Sequence, residues 1–170
     1  MERLAYVGFG ANLGDPLATF RRAGELLSRH LGTPVKESGC YETKALTLDG
    51  APSQKNYLNA VIVYQTDRSP RDILAILLEV ERFLGRHRVH DERWAPRPVD
   101  LDLLLVDDLV VRNTGLTLPH PELHKRDFVL RPLCDVAPDL LHPELKVSVS
   151  QLEQTLEARG CDRFILGRIA

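Results

Sequence analysis

The chain has 170 residues, 44% of them hydrophobic and 27% charged, with a formal net charge of −2. That length suits one domain spanning residues 1–170 with a single good core, and the even composition excludes a disordered or repetitive chain. No run approaches the roughly 18 apolar residues of a membrane span, and the N-terminal MERLAYVGFG lacks the basic-then-apolar layout of a signal peptide, so a soluble cytoplasmic protein is expected.

The first predicted element is a strand, LAYVGFG at 4–10, rich in small and β-prone residues. Asp15-Pro16 then opens a helix, with Asp15 as cap and the proline at the first helical position, where a missing N–H costs nothing. Leu17, Phe20, Ala23, Leu27 and Leu31 form its apolar stripe, and Gly32 ends it. A second strand is expected from about Pro34 to Thr43. A third, YLNAVIVYQT, covers 57–66. Ser69-Pro70-Arg71-Asp72 starts a second helix, with Ile73, Leu77, Val80 and Leu84 as its buried face and Gly85 as its close. DLDLLLV at 100–106 is the fourth strand, and 109–111 is expected to return as a short one. Proline-punctuated residues 121–138 suggest short helical turns. Ser150-Gln151-Leu152-Glu153 reads as a capping box for a final helix. The order β-α-β-β-α-β defines an α+β, ferredoxin-like antiparallel sheet with helices on one face and a C-terminal helical extension.

Charge is unevenly placed. Arg82, Arg86, Arg88, Arg93 and Arg97 crowd into 82–97 against only Asp91 and Glu92, while the chain as a whole is acidic. A local arginine cluster of this kind suits a small anionic ligand, since nucleic-acid binders spread their basic charge over a broad face. Cys40, Cys134 and Cys161 are odd in number and widely spaced, as expected for reduced thiols.

Within that fold, Asp100 and Asp102 are the anomaly. Acids are poor strand formers, yet these two lie one residue apart in an apolar run, just after the loop carrying Pro96, Arg97 and Pro98. Alternation puts both carboxylates on one face of the strand, roughly 6.5–7 Å apart at their bases, with Leu101, Leu103 and Leu105 on the other. Such a pair suits Mg²⁺, whose remaining ligands are waters and substrate phosphates; two ions can share it. A solvent-facing edge strand accounts for neither the prolines nor the arginine.

Other motifs are weaker. Gly8, Gly10 and Gly14 miss the dinucleotide fingerprint by one residue, so they read as a tight turn admitting a ligand or neighbouring backbone. No GxxxxGK[ST] phosphate loop occurs, which leaves arginine, histidine and metal to hold phosphates. His120-Pro121-Glu122-Leu123-His124 does not satisfy HExxH. Tyr57 and Asn59 share a strand face and offer a ring beside an amide, which suits the edge of a heterocycle.

The run Arg93-Trp94-Ala95-Pro96-Arg97-Pro98-Val99-Asp100-Leu101-Asp102-Leu103-Leu104 closely resembles the signature of the 6-hydroxymethyl-7,8-dihydropterin pyrophosphokinase family. GFGANLGDP, Tyr57-Leu58-Asn59-Ala60, Thr117-Leu118-Pro119-His120 and Arg126 to Leu133 are similar to its other blocks. The resemblance implies pyrophosphoryl transfer: the hydroxymethyl oxygen of the pterin attacks the β-phosphorus of ATP and AMP leaves. It implies two Mg²⁺ ions on Asp100 and Asp102, with ATP as co-substrate. Arg86, Arg88 and Arg97 would act near the reacting phosphates. Arg97, Leu103, Thr117, His120 and Arg126 would contact ATP, and Thr43, Leu46, Tyr57, Asn59, Trp94 and Phe128 the pterin. Gly115 and Pro121 depart from the family pattern at positions that grip the nucleotide, with Arg112 or Lys125 as candidate replacements. The long loops at 44–56 and 85–94 are expected to close over ATP. Small-molecule partners, no nucleic acid, no membrane and a monomer complete the expectation. Two rival classes share the sheet: a two-metal nucleotidyl transferase or cyclase, which would attack the α-phosphorus, and a non-enzymatic RNA- or ligand-binding module, which would show a basic, aromatic sheet face.

Overall fold

The computed structural model describes residues 1–45, 53–87, 96–159 and 165–170. Strand β1 (Arg3–Ala11) leads to helix α1 (Pro16–Leu31), whose cap is Asp15: its carboxylate accepts from the Ala18 amide at 3.0 Å. Strands β2 (Pro34–Glu37) and β3 (Tyr41–Thr43) follow, then β4 (Tyr57–Thr66) and helix α2 (Pro70–Phe83), capped by Ser69. The expected single strand from Pro34 to Thr43 is therefore two. Ser38 breaks it, because its hydroxyl, in place of a ladder carbonyl, takes the Val61 amide at 2.8 Å.

β5 (Asp100–Val106) lies on the other side of β1, giving the order β5-β1-β4-β3 with β2 also on β4, every pairing antiparallel. This is the expected ferredoxin-like arrangement. Two strands went unforeseen. β8 (Ile165–Arg168) pairs with β3 at the sheet edge, and β7 (Leu116–Leu118) forms a hairpin with β6 (Val111–Asn113), displaced by two residues from the expected return at 109–111.

The helices are not confined to one face. α1 and α2 bury Phe20, Leu27, Ile73, Leu77 and Val80 against Ala5, Val7 and Phe9 of β1. On the opposite face a full ten-residue helix, α3 (Asp127–Val136), replaces the expected short turns, after one 3₁₀ turn at Leu123–Lys125. It packs Leu130, Leu133 and Val136, with Val149 and Leu152 of α4 (Val149–Ala158), onto Tyr6, Val61, Val63 and Leu104. The α4 cap is Ser148, not Ser150: Ser148 and Gln151 close a reciprocal capping box. Both serines satisfy part of the sequence pattern; Ser148 wins because Val149 and Leu152 then face the core.

Two core layers thus sandwich the sheet. The second layer covers only part of its face, and the start of β5 stays open beside the first turn of α3.

Candidate active site

The open part of the sheet face is a cleft. Its floor is Gly8 and Gly10 of β1, paired with Asp102 and Asp100 of β5 on one side and with Val61 and Asn59 of β4 on the other. Thr43, Lys44 and Tyr57 form one wall; Arg97, Arg126, Phe128 and Val129 contribute the rest, with Leu104 deeper in. The two glycines keep the floor low. A β-carbon at Gly10 would stand 3.1 Å from Asn59 Oδ1 and 4.0 Å from the Asp100 β-carbon, in the middle of the cleft.

Asp100 and Asp102 share the cleft face, as alternation requires, but the leucine pattern beyond them changes. Leu101 and Leu103 enter the α1/α2 core, whereas both Leu104 and Leu105 enter the α3/α4 core. A register shift between Tyr6 and Val7 inserts one extra β5 residue here, which turns Leu105 to the face opposite the expected one.

The two carboxylates differ. Asp100 is fully engaged: Arg86 Nη1 meets Oδ1 at 2.5 Å and Arg97 Nη1 meets Oδ2 at 3.0 Å. Asp102 makes no hydrogen bond or ion pair among the described residues. Burial, then the neighbouring Asp100 charge, push its carboxyl up to about 7. A crowded carboxylate pair with one member unpartnered is a fit for a hard divalent cation, which would relieve the repulsion. No third His, Cys, Asp or Glu joins the pair among the described residues, so water and phosphate oxygens would complete the shell.

Buried Asn12 fixes the rim. Its Oδ1 accepts from the Arg97 amide at 2.9 Å, its own amide donates to the Arg97 carbonyl at 3.2 Å, and its Nδ2 reaches Gln54 Oε1 and the Lys55 carbonyl. Two chain segments around the cleft, at Arg97 and at Gln54–Lys55, are thereby tied to the end of β1. In the wall, Asn59 Nδ2 donates to Thr43 Oγ1 at 2.6 Å, which leaves Asn59 Oδ1 as the atom over Gly10. The Arg126 guanidinium lies 5.7 Å from the Phe128 ring centroid and stiffens that ring's position.

Of the residues singled out from sequence, Thr43, Tyr57, Asn59, Arg97, Asp100, Asp102, Arg126 and Phe128 line this one cleft. Arg86 stands behind Asp100, buried, rather than in the cleft. His120 sits at the edge, its amide on the Leu104 carbonyl at 2.9 Å and its Nδ1 accepting from the Glu122 amide at 3.2 Å. Burial and Arg126 lower its pKa, so the ring is neutral at pH 7 with its proton on Nε2, an available donor. Thr117 lies on β7, outside the cleft lining, and the Leu103 side chain is in the core of the opposite face. Leu46, Arg88 and Trp94 lie outside the described residues, as does most of the expected loop closure. Arg112 pairs with Glu144 and Lys125 with Glu122, both of them surface ion pairs.

Sequence reasoning missed Glu81. It is 1% exposed at the end of α2, bonded to Arg86 and to the Leu101 amide. Its signal was available: Ile73, Leu77 and Glu81 are spaced four apart, which puts the acid on the buried stripe.

The arrangement can hold a cation and a phosphate chain at one end of the cleft and a flat polar ring at the other. Residues 6–138 match the model of the family described as 7,8-dihydro-6-hydroxymethylpterin-pyrophosphokinase (HPPK). The chain is 36% identical over 158 residues to the 2-amino-4-hydroxy-6-hydroxymethyldihydropteridine pyrophosphokinase of Aquifex aeolicus, covering 92% of this chain and 95% of that protein. It is 36% identical over 168 residues to the Bacillus subtilis protein of the same name, covering 97% and 98%. A crystal structure of a Plasmodium falciparum HPPK-DHPS triple mutant shares the fold, with a TM-score of 0.74 at 14% identity; the match covers 94% of this chain and 45% of that one. The chain belongs to the HPPK family.

Proposed function

We propose that the chain transfers pyrophosphate from ATP to the hydroxymethyl group of 6-hydroxymethyl-7,8-dihydropterin, releasing AMP, as a step of folate biosynthesis. The observation that carries this reading is the joining in one cleft of Asp100, Asp102 and Arg97 with Thr43, Tyr57, Asn59 and Phe128. Family membership favours it over nucleotidyl transfer. The paired acids on the sheet face disfavour an RNA-binding module, since they would repel phosphate without a cation.

Two Mg²⁺ ions held by Asp100 and Asp102 would neutralise the triphosphate and lower the pKa of the attacking hydroxyl. The protein's own share is alignment and charge, because phosphoryl transfer asks for little covalent help. Arg97 places a guanidinium beside Asp100, where the reacting phosphates would lie. Neutral His120 donates from Nε2, and Arg126 adds positive charge while bracing Phe128. Thr117 and the backbone of Leu103 are the further nucleotide contacts that this reading assigns; Arg86, Arg88, Trp94 and Leu46 complete its site. Asn59 Oδ1 accepts from a ring N–H of the pterin, and Tyr57 and Phe128 offer flat apolar surface. This reading takes the protein as a cytoplasmic, one-domain monomer acting on small-molecule substrates. No helix among the described residues is long and apolar enough to cross a membrane.

The test is a product assay with Mg²⁺, ATP and the pterin. Pterin-dependent AMP, lost in Asp100→Ala and Asp102→Ala, is the expected result. ADP would mean transfer of the γ-phosphate alone, and pyrophosphate release would mean nucleotidyl transfer.

A further inference from the structure

The segment Pro96-Arg97-Pro98 has a single backbone N–H to offer, because both prolines lack theirs. Asn12 takes it. The Arg97 amide donates to Asn12 Oδ1 at 2.9 Å, and the Asn12 backbone amide donates to the Arg97 carbonyl at 3.2 Å. Arg97 is thus fixed at both ends, by this clamp on its backbone and by Asp100 Oδ2, 3.0 Å from its guanidinium. The other end of the Asn12 side chain reaches the segment that enters the pterin wall. Its Nδ2 donates to Gln54 Oε1 at 3.3 Å and to the Lys55 carbonyl at 3.2 Å, just before Tyr57 begins β4. A side-chain amide accepts and donates at once, which is what joining these two segments requires. Asn12 is 2% exposed, so water is a poor substitute for the partners it holds.

We propose that Asn12 is a positioning residue for the transfer step: by clamping the Arg97 backbone and tying it to the segment ahead of Tyr57, it sets where Arg97 stands relative to the pterin wall. The proposal rests on the pyrophosphoryl-transfer reading of the cleft. Each half of the site has support of its own without Asn12. Arg97 keeps its ion pair with Asp100, Tyr57 keeps its ladder partner Thr43, and Asn59 keeps Tyr41 and Gly10. Each substrate therefore still binds, and what is lost is the alignment of one with the other. Attack of the hydroxymethyl oxygen on phosphorus depends on that alignment, since a misplacement of about 1 Å costs about a hundredfold in rate. The effect of Asn12 belongs in kcat and not in either affinity.

Three measurements on each variant test this: kcat for pterin-dependent AMP, and calorimetric binding of the dihydropterin alone and of a non-hydrolysable ATP analogue with Mg²⁺. Asn12→Ala removes both side-chain arms. It should lower kcat roughly thirtyfold and leave both affinities within about threefold of wild type. Asn12→Asp keeps an oxygen for the Arg97 amide and loses the donor to Gln54 and Lys55, so it should regain at least about fivefold of the lost kcat. A kcat within about threefold of wild type in Asn12→Ala would overturn the proposal. So would affinities that fall as far as kcat does, which would make Asn12 a general support of the site. An Asn12→Asp enzyme as slow as Asn12→Ala would also overturn it, because the clamp on Arg97 would not be the lever. If Asn12→Ala does not fold, Asn12→Ser decides, its hydroxyl being too short to join the two segments. Slow turnover with intact binding is then expected, and wild-type turnover or weakened binding overturns the proposal. A wild-type protein that binds both ligands yet makes no pterin-dependent AMP would instead sink the transfer reading itself, and the proposal with it.

Discussion

Asp102 is held in a place where its charge is unwelcome, a penalty that the proposed cation would relieve. Its carboxyl is pushed up to about 7 by burial and by Asp100, against about 4 in an unfolded chain. Between those values the folded state binds more protons than the unfolded one, so stability falls as pH rises from about 4 to about 7 and stays low above that. Asp102→Asn should therefore raise the stability of EDTA-treated protein at pH 8 by about 1–2 kcal/mol, kept below the full linkage value by solvent access to the carboxylate, and change little at pH 4. Denaturant melts at the two pH values check this. Added Mg²⁺ should stabilise the wild type at pH 8 and leave the Asn variant nearly unmoved. At the cleft floor, Gly10→Ala places a methyl 3.1 Å from Asn59 Oδ1. It should raise the KM for the pterin about tenfold with the melting temperature nearly unchanged, as expected when binding energy alone is lost.

At the scale of elements, the β5 bulge and the hairpin matter most. The bulge lets one strand present acids to the cleft and then feed both cores. In the hairpin, Gly115 has φ +82 and open space around it. Gly115→Arg forces a left-handed conformation on a side-chain-bearing residue, costing about 1 kcal/mol. A lower melting temperature is expected, and any gain in ATP affinity has to be judged beside it. Arg112→Ala, which removes a surface pair with Glu144, should leave the KM for ATP within about twofold of wild type.

Across the whole molecule, the second helical layer is fastened to the sheet edge by polar contacts as well as by leucines. Asp135 of α3 accepts from the Tyr41 hydroxyl at 2.7 Å and the Gly39 amide at 3.0 Å, while Arg131 bridges Asp135 to Glu153 of α4. Asp135→Ala leaves those donors without their acceptor and should cost about 1–3 kcal/mol in a urea melt. Turnover at saturating substrate should hold, since the cluster lies outside the cleft lining.

Local signals in the sequence set most of the frame. Caps at Asp15 and Ser69, prolines at the first helical turns and period-two strands depend on near neighbours, so β1, α1, β4, α2 and β5 stand where expected. The shared face of Asp100 and Asp102 follows from alternation alone, and the run around them resembles one family closely enough to imply a reaction. Only the tertiary structure decided what depends on distant partners. Ser38 splits a strand because Val61 lies beside it. Residues 127–136 become a helix because the far face of the sheet needs covering, and β8 forms because β3 has a free edge. Glu81 and Arg86, which flank the end of α2, come to bear on Asp100 because a buried charge must be paired wherever the fold brings it.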